Sequence, residues 1–218
     1  MYRDAQALAR TLEATDFGDA EVIVAAAEGD SSLTALRASR PDVAWVIALR
    51  GRASQMNAGA SIAKGDWFLF LHADTRLPAN ADQLIVNGLG AAGLEWGRFD
   101  VRIEGASRWL QLVASFMNVR SRITGIATGD QAMFVTRRAF DALRGFPDQA
   151  LMEDVELSSR LKRRGPPLCL RPPVVTSGRR WNARGVTCSA AASARRIRAP
   201  RSPGPCATQV APACAAAD

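Results

Sequence analysis

The chain has 218 residues, 48% of them hydrophobic and 22% charged, which suits a soluble globular protein with a single core. Its formal charge of +7 is unevenly spread: residues 179–218 hold seven Arg and one acid, which leaves 21 Lys+Arg against 20 Asp+Glu in residues 1–178. A body so close to neutral excludes nucleic-acid binding by the chain as a whole. No apolar run reaches the roughly 18 residues of a membrane span, and no apolar leader follows Met1, so a cytoplasmic location is expected.

Residues 2–14 place Ala5, Leu8, Ala9 and Leu12 at helical spacing, so the chain opens on a helix with no strand before it. Residues 21–27 predict a buried strand. A polar turn then offers Ser31 or Ser32 as the cap of a short helix over 33–38. Residues 43–49 predict a second strand, broken by Arg50-Gly51-Arg52, and a helix over 54–64 is stopped by Gly65. Trp67-Phe68-Leu69-Phe70-Leu71 runs without a polar break, as a strand buried on both faces of a parallel sheet does. A helix near 81–89 follows. This alternation predicts an α/β fold with a mostly parallel sheet flanked by helices.

The pattern then changes. Phe99, Val101 and Ile103 alternate with Asp100 and Arg102, which predicts a half-exposed antiparallel strand. Residues 107–119 predict a helix whose Trp109/Phe116 stripe reads as core packing or, alternatively, as peripheral contact with a membrane at its inner face. A short strand over 132–135 and a short helix over 137–143 come next. The helix over 152–164 has strong end signals: Glu153, Asp154 and Glu156 in its first turn, Lys162, Arg163 and Arg164 in its last, then Gly165-Pro166. A strand is predicted over 167–175.

Two regions are thus expected, a body over 1–186 and a tail over 187–218. The tail is Ala, Arg, Pro, Ser and Cys with almost no large aliphatic residues, so disorder is predicted and its deletion is expected to leave the body intact. Three of the four Cys lie in the tail without zinc-site spacing or a disulfide framework, and Cys169 between two Leu reads as a small core residue.

Four constellations carry candidate chemistry. Gly51-Arg52 opens a helix after a strand, where backbone N–H groups attract phosphate and Arg52 adds a bidentate donor; Asn57 belongs to the same segment. His72-Ala73-Asp74 ends the central strand; imidazole plus carboxylate suits Mn²⁺ or a similar divalent ion, and carboxylate plus substrate phosphate suits Mg²⁺. Asp130 and Gln131, preceded by Arg120 and Arg122, suit an acceptor side, the acid and amide for a polyhydroxylated acceptor and the two Arg for a diphosphate; Asx-turn chemistry explains the loop equally well. Glu153-Asp154 starts a helix, where the dipole alone is reason enough for one acid and keeps a carboxylate ionised for use as a base.

In their order along residues 2–186 these segments resemble the family 2 glycosyltransferases of the GT-A (Rossmann-like) fold, closest to a bacterial branch associated with arsenosugar biosynthesis. The resemblance implies an inverting transfer from a nucleotide-sugar donor to an unknown hydroxyl acceptor, with no nucleic-acid partner. It implies a divalent metal at an Asp-x-Asp motif that reads His72-Ala73-Asp74 here. It assigns the base to Asp154, with Glu153 beside it, and matches Asp4 to the acid of the family's nucleotide loop. Three departures stand out. The family's first strand, an inner strand of the sheet, would precede Tyr2, so a gap in the sheet is expected. The base-contacting Asp after the second strand falls near Ala26, with Asp30 as substitute. The family's terminal helices are replaced by the tail. A non-catalytic nucleotide-sugar-binding remnant is therefore the alternative reading.

Overall fold

Trp67–Leu71 forms β3, and alternate side chains on this strand enter two different cores. Leu69 and Leu71 face one side, with Ile85, Leu89 and Leu110. Phe68 and Phe70 face the other and pack edge to face with Phe140 and Phe146. Burial of each such ring stabilises the fold by about 1.5–3 kcal/mol relative to exposure. A strand without polar residues is therefore required, because both of its faces are covered.

The computed structural model describes residues 4–179 and the backbone of 214–216. The other strands are β1 (Ile23–Ala27), β2 (Ala44–Ala48), β4 (Thr75–Arg76), β5 (Trp96–Glu104), β6 (Met133–Thr136), β7 (Leu168–Ser177) and β8 (Cys214–Ala216). The helices are α1 (Ala5–Ala14), α2 (Thr34–Ser39), α3 (Arg52–Ile62), α4 (Ala81–Ala92), α5 (Trp109–Thr124), α6 (Arg137–Ala142) and α7 (Glu153–Lys162). Among the described residues the sheet order is β2-β1-β8-β3-β6-β5-β7-β4. The β2-β1-β8-β3 half is parallel; β6 runs antiparallel to both of its neighbours, and β4 antiparallel to β7.

The elements read from periodicity are present, with two corrections. The strand containing Phe99 alternates over 99–103 as expected but begins earlier, at Trp96, where its residues are buried between β6 and β7, and it pairs antiparallel with β6 only, running parallel with β7. Gly97 is needed there, because a Cβ would run into Leu168 and the Phe134 ring. Cys169 is buried as expected and is also disulfide-bonded.

The expected gap is filled. β8 pairs parallel with β1 through Val24↔Ala215 and with β3 through Phe70↔Cys214. The disorder expected of the tail does not hold for residues 214–216; residues 187–213 and 217–218 lie outside the described ones. The pairing of β8 bears against the dispensability expected of the tail, which a truncation tests directly. β1 and β3 are buried strands, and removing β8 strips backbone partners from both edges at a cost of about 1–3 kcal/mol per buried unpaired group. Deleting residues 187–218 should lower the thermal midpoint by several degrees or more. Calorimetry of the full and truncated chains checks this, and an unchanged midpoint would remove β8 from the fold.

Candidate active site

β1, β2 and β3 run parallel, so their carboxyl ends open on one edge of the sheet. Asp30 follows β1, Arg52 follows β2, and His72 and Asp74 follow β3. Because β6 is antiparallel to β3, the turn that enters it brings Gly129 and Asp130 to that edge. α7 delivers Glu153 and Asp154 from its first turn. Ligands in open α/β sheets bind beyond this edge.

His72 lies at the centre of a polar cluster. Its Nδ1 is 3.2 Å from Asp130 Oδ1, and its Nε2 meets the Arg52 guanidinium. A guanidinium only donates, so Nε2 accepts and the network assigns the ring proton to Nδ1, facing Asp130. Arg52 Nε also lies 3.0 Å from Glu153 Oε1. That approach is close but poorly aligned, so Oε1 is ion-paired without an aligned hydrogen bond. Burial pushes the Glu153 carboxyl above its ordinary value; Arg52 opposes the shift, and the charge of Asp154 adds to it.

Asp154 is buried beside this group. One oxygen accepts from the Gly129 N–H and the other from the Val155 N–H at 2.7 Å. Gly129 has to be glycine, because a Cβ would collide with Arg52 and His72. Met152, just before the two acids, takes a left-handed backbone at φ 65°, and so does Ala132 at φ 45° beyond Asp130 and Gln131. Such conformations cost non-glycine residues about 1–3 kcal/mol and gather at functional sites. Arg120 approaches from α5 with its Nε and Nη2 buried and without a hydrogen-bond partner. Burial pushes this guanidinium below its ordinary value, and the charge of Asp154 opposes that.

A second group forms where Arg179 donates to Asp4 at 2.7 Å and lies 3.8 Å from Asp74. It borders a cavity of about 600 Å³ lined by Arg10, Thr11, Asp74, Arg76, Glu104 and Arg179. A third feature lies beyond β1. Asp30 Oδ1 accepts from Ser32 N and Oγ, at the rim of a cavity of about 280 Å³ that Arg37, Trp45 and Ile47 also line.

The remaining candidates are placed elsewhere. His72 and Asp74 face different partners, and both ring nitrogens of His72 are engaged in this structure. Among the described residues no group of three His, Cys, Asp or Glu side chains is placed to hold a metal ion. Asn57 is not turned to phosphate: its amide bridges both backbone groups of Phe146, donating to O and accepting from N at 2.9 Å each. Gln131 is buried as the second half of a capping box with Thr128, so it does not offer its amide to an acceptor. Arg122 pairs with Asp100 at 2.6 Å, sharing that carboxylate with the buried Arg98 rather than waiting for a diphosphate. Sequence reasoning missed Arg179, whose only signal was its place inside the segment that resembles the family, and it gave Gly129 no role.

The family model described as glycosyl transferase family 2 matches residues 2–144. No curated protein matches the chain. A solved structure of a mannosyltransferase from Pyrobaculum calidifontis, in complex with GDP-Man and Mn²⁺, aligns with a TM-score of 0.56 at 21% identity. The alignment covers 92% of this chain and 64% of that one, so this chain spans less than two thirds of the mannosyltransferase's length. At that identity the likeness shows a common fold, the GT-A fold.

Proposed function

This chain belongs to glycosyl transferase family 2, and from that premise we propose that it moves a sugar from a nucleotide-sugar donor to a hydroxyl acceptor in one inverting, metal-assisted displacement. The observation that carries the reading is the convergence of Asp154, Glu153, Arg52, His72 and Asp130 at the carboxyl edge of the parallel strands. The finer placement in the arsenosugar-associated branch rests on the sequence motifs.

Asp154 takes the proton of the acceptor hydroxyl as its oxygen bonds to the anomeric carbon, and the bond from that carbon to the diphosphate oxygen breaks with its electrons on the diphosphate. The Gly129 N–H holds the Asp154 carboxylate in place for that transfer. Arg52, fixed by Glu153 and His72, supplies positive charge next to the same centre. Arg120 brings a second cation on the acceptor side. The cavity beside Asp30 suits a nucleotide base, with Trp45 as a stacking surface. The mannosyltransferase with GDP-Man makes that donor the first to test.

Asp4 and Asp74 already converge on a cation, the Arg179 guanidinium, so this pair fits a hard divalent ion better than His72 does. Such an ion neutralises charge on the departing diphosphate when bound. Binding of GDP-mannose should weaken about tenfold or more in EDTA or in Asp74→Ala, and less in His72→Ala. Titration calorimetry with Mn²⁺ and with EDTA reads this. Equal affinity with and without metal would remove the proposed role of Asp74.

A further inference from the structure

α5 carries an apolar stripe on the face turned away from the core. Trp109, Leu112, Phe116, Val119 and Ile123 are 66%, 59%, 65%, 53% and 67% exposed. Their spacing of three and four residues keeps them on one face along the whole helix. The opposite face, through Leu110, Ala114 and Ser121, is buried against β5 and its neighbours. Five large apolar side chains presented to water in one row are more than a scatter of surface residues, and rows of this kind mark interaction surfaces.

Charge narrows the choice of partner. From Gly105 to Gly129 the chain holds Arg108, Arg120 and Arg122 and no Asp or Glu. Arg108, which directly precedes Trp109 at the start of α5, is exposed. Arg98 and Arg122 share the single carboxylate of Asp100, which leaves that trio positive as well. Size narrows it further. A 16-residue helix is about 24 Å long and presents a face roughly 10 Å wide. A second copy laid on it would cover a few hundred Å², against the about 800 Å² per partner of a stable interface. A bilayer needs no matching protein surface, and it rewards an apolar row with basic flanks.

We propose that the exposed face of α5 docks this protein onto an anionic membrane surface, with Trp109 and Phe116 entering the interface. The proposal stands on this face alone and is independent of the catalytic reading.

The test is co-sedimentation of the full chain with vesicles of equal parts phosphatidylcholine and phosphatidylglycerol, and with vesicles of phosphatidylcholine alone. The parent should bind the anionic vesicles, more weakly as salt rises. Trp109→Ser/Phe116→Ser should lower the partition constant roughly tenfold or more while the thermal midpoint stays unchanged, since both side chains are exposed. Equal binding by parent and variant would overturn the proposal. So would a parent that binds no vesicles: if it sediments as a dimer that the variant breaks, the stripe belongs to a second copy, and if the variant instead lowers the thermal midpoint, the chain itself covers the stripe.

Discussion

Asp154→Asn should abolish most sugar transfer while leaving donor binding in place. Asn keeps the size of Asp and can still accept one of the two N–H groups, from Gly129 or Val155, that hold the carboxylate. It cannot take a proton at neutral pH. The rate should therefore fall by about 10²–10⁴-fold, the range of general base catalysis. Glu153→Gln should be the milder change, because Glu153 is turned to Arg52 and has no such pair of backbone donors. Initial rates against a panel of hydroxyl acceptors, with donor affinity by calorimetry, separate the outcomes. Transfer by Asp154→Asn at the parent rate would move the base to Glu153 or Asp130. Donor binding without transfer by the parent itself would favour the non-catalytic reading.

Arg52→Met should destabilise the fold more than any loss of surface charge would. Glu153 is 1% exposed, and Arg52 is its cationic partner at 3.0 Å. Arg52 is part-exposed at 29%, so removing it leaves the buried Glu153 uncompensated at a cost that solvent screening brings to about 3 kcal/mol or less. The cost depends on pH in a defined direction. The folded Glu153 carboxyl titrates above its ordinary value of 4.5, so its contribution to stability is fully present below that pH and is lost as pH rises through the folded value. Without Arg52 the upward shift grows and the loss steepens. Denaturant unfolding should show a large difference between parent and Arg52→Met at neutral pH and a small one below 4.5. Adding Glu153→Gln to Arg52→Met should restore most of the stability, because the buried charge is gone. A deficit independent of pH, or no recovery in the double variant, would mean that Arg52 acts by packing.

The amino-acid sequence alone determined most of the helices and strands of residues 4–177, β4 and the start of β5 excepted, because their signals are local. Unbroken apolar residues specify β3, and acids first with bases last delimit α7. It also brought Arg52, His72, Asp130, Glu153 and Asp154 into view, since each stands at the end of an element where a polar side chain has no core to enter. Only the tertiary structure decided which of those groups work together. His72 takes Arg52 and Asp130, whereas Asp74, two residues later, takes Arg179 from the far end of the body. Asn57, Gln131 and Arg122 looked free and are engaged with Phe146, Thr128 and Asp100, partners that side-chain reach selects across folded space. The place of β8 between β1 and β3 was invisible for the same reason: strand pairing depends on an unpaired edge, and an edge exists only in the assembled sheet. α5 shows the limit of periodicity most directly. It carries apolar residues on two faces at the same helical spacing, so the pattern predicts the helix equally well whichever face is buried. The sheet, by packing on Leu110 and Ala114, decided that Trp109 and Phe116 point outward.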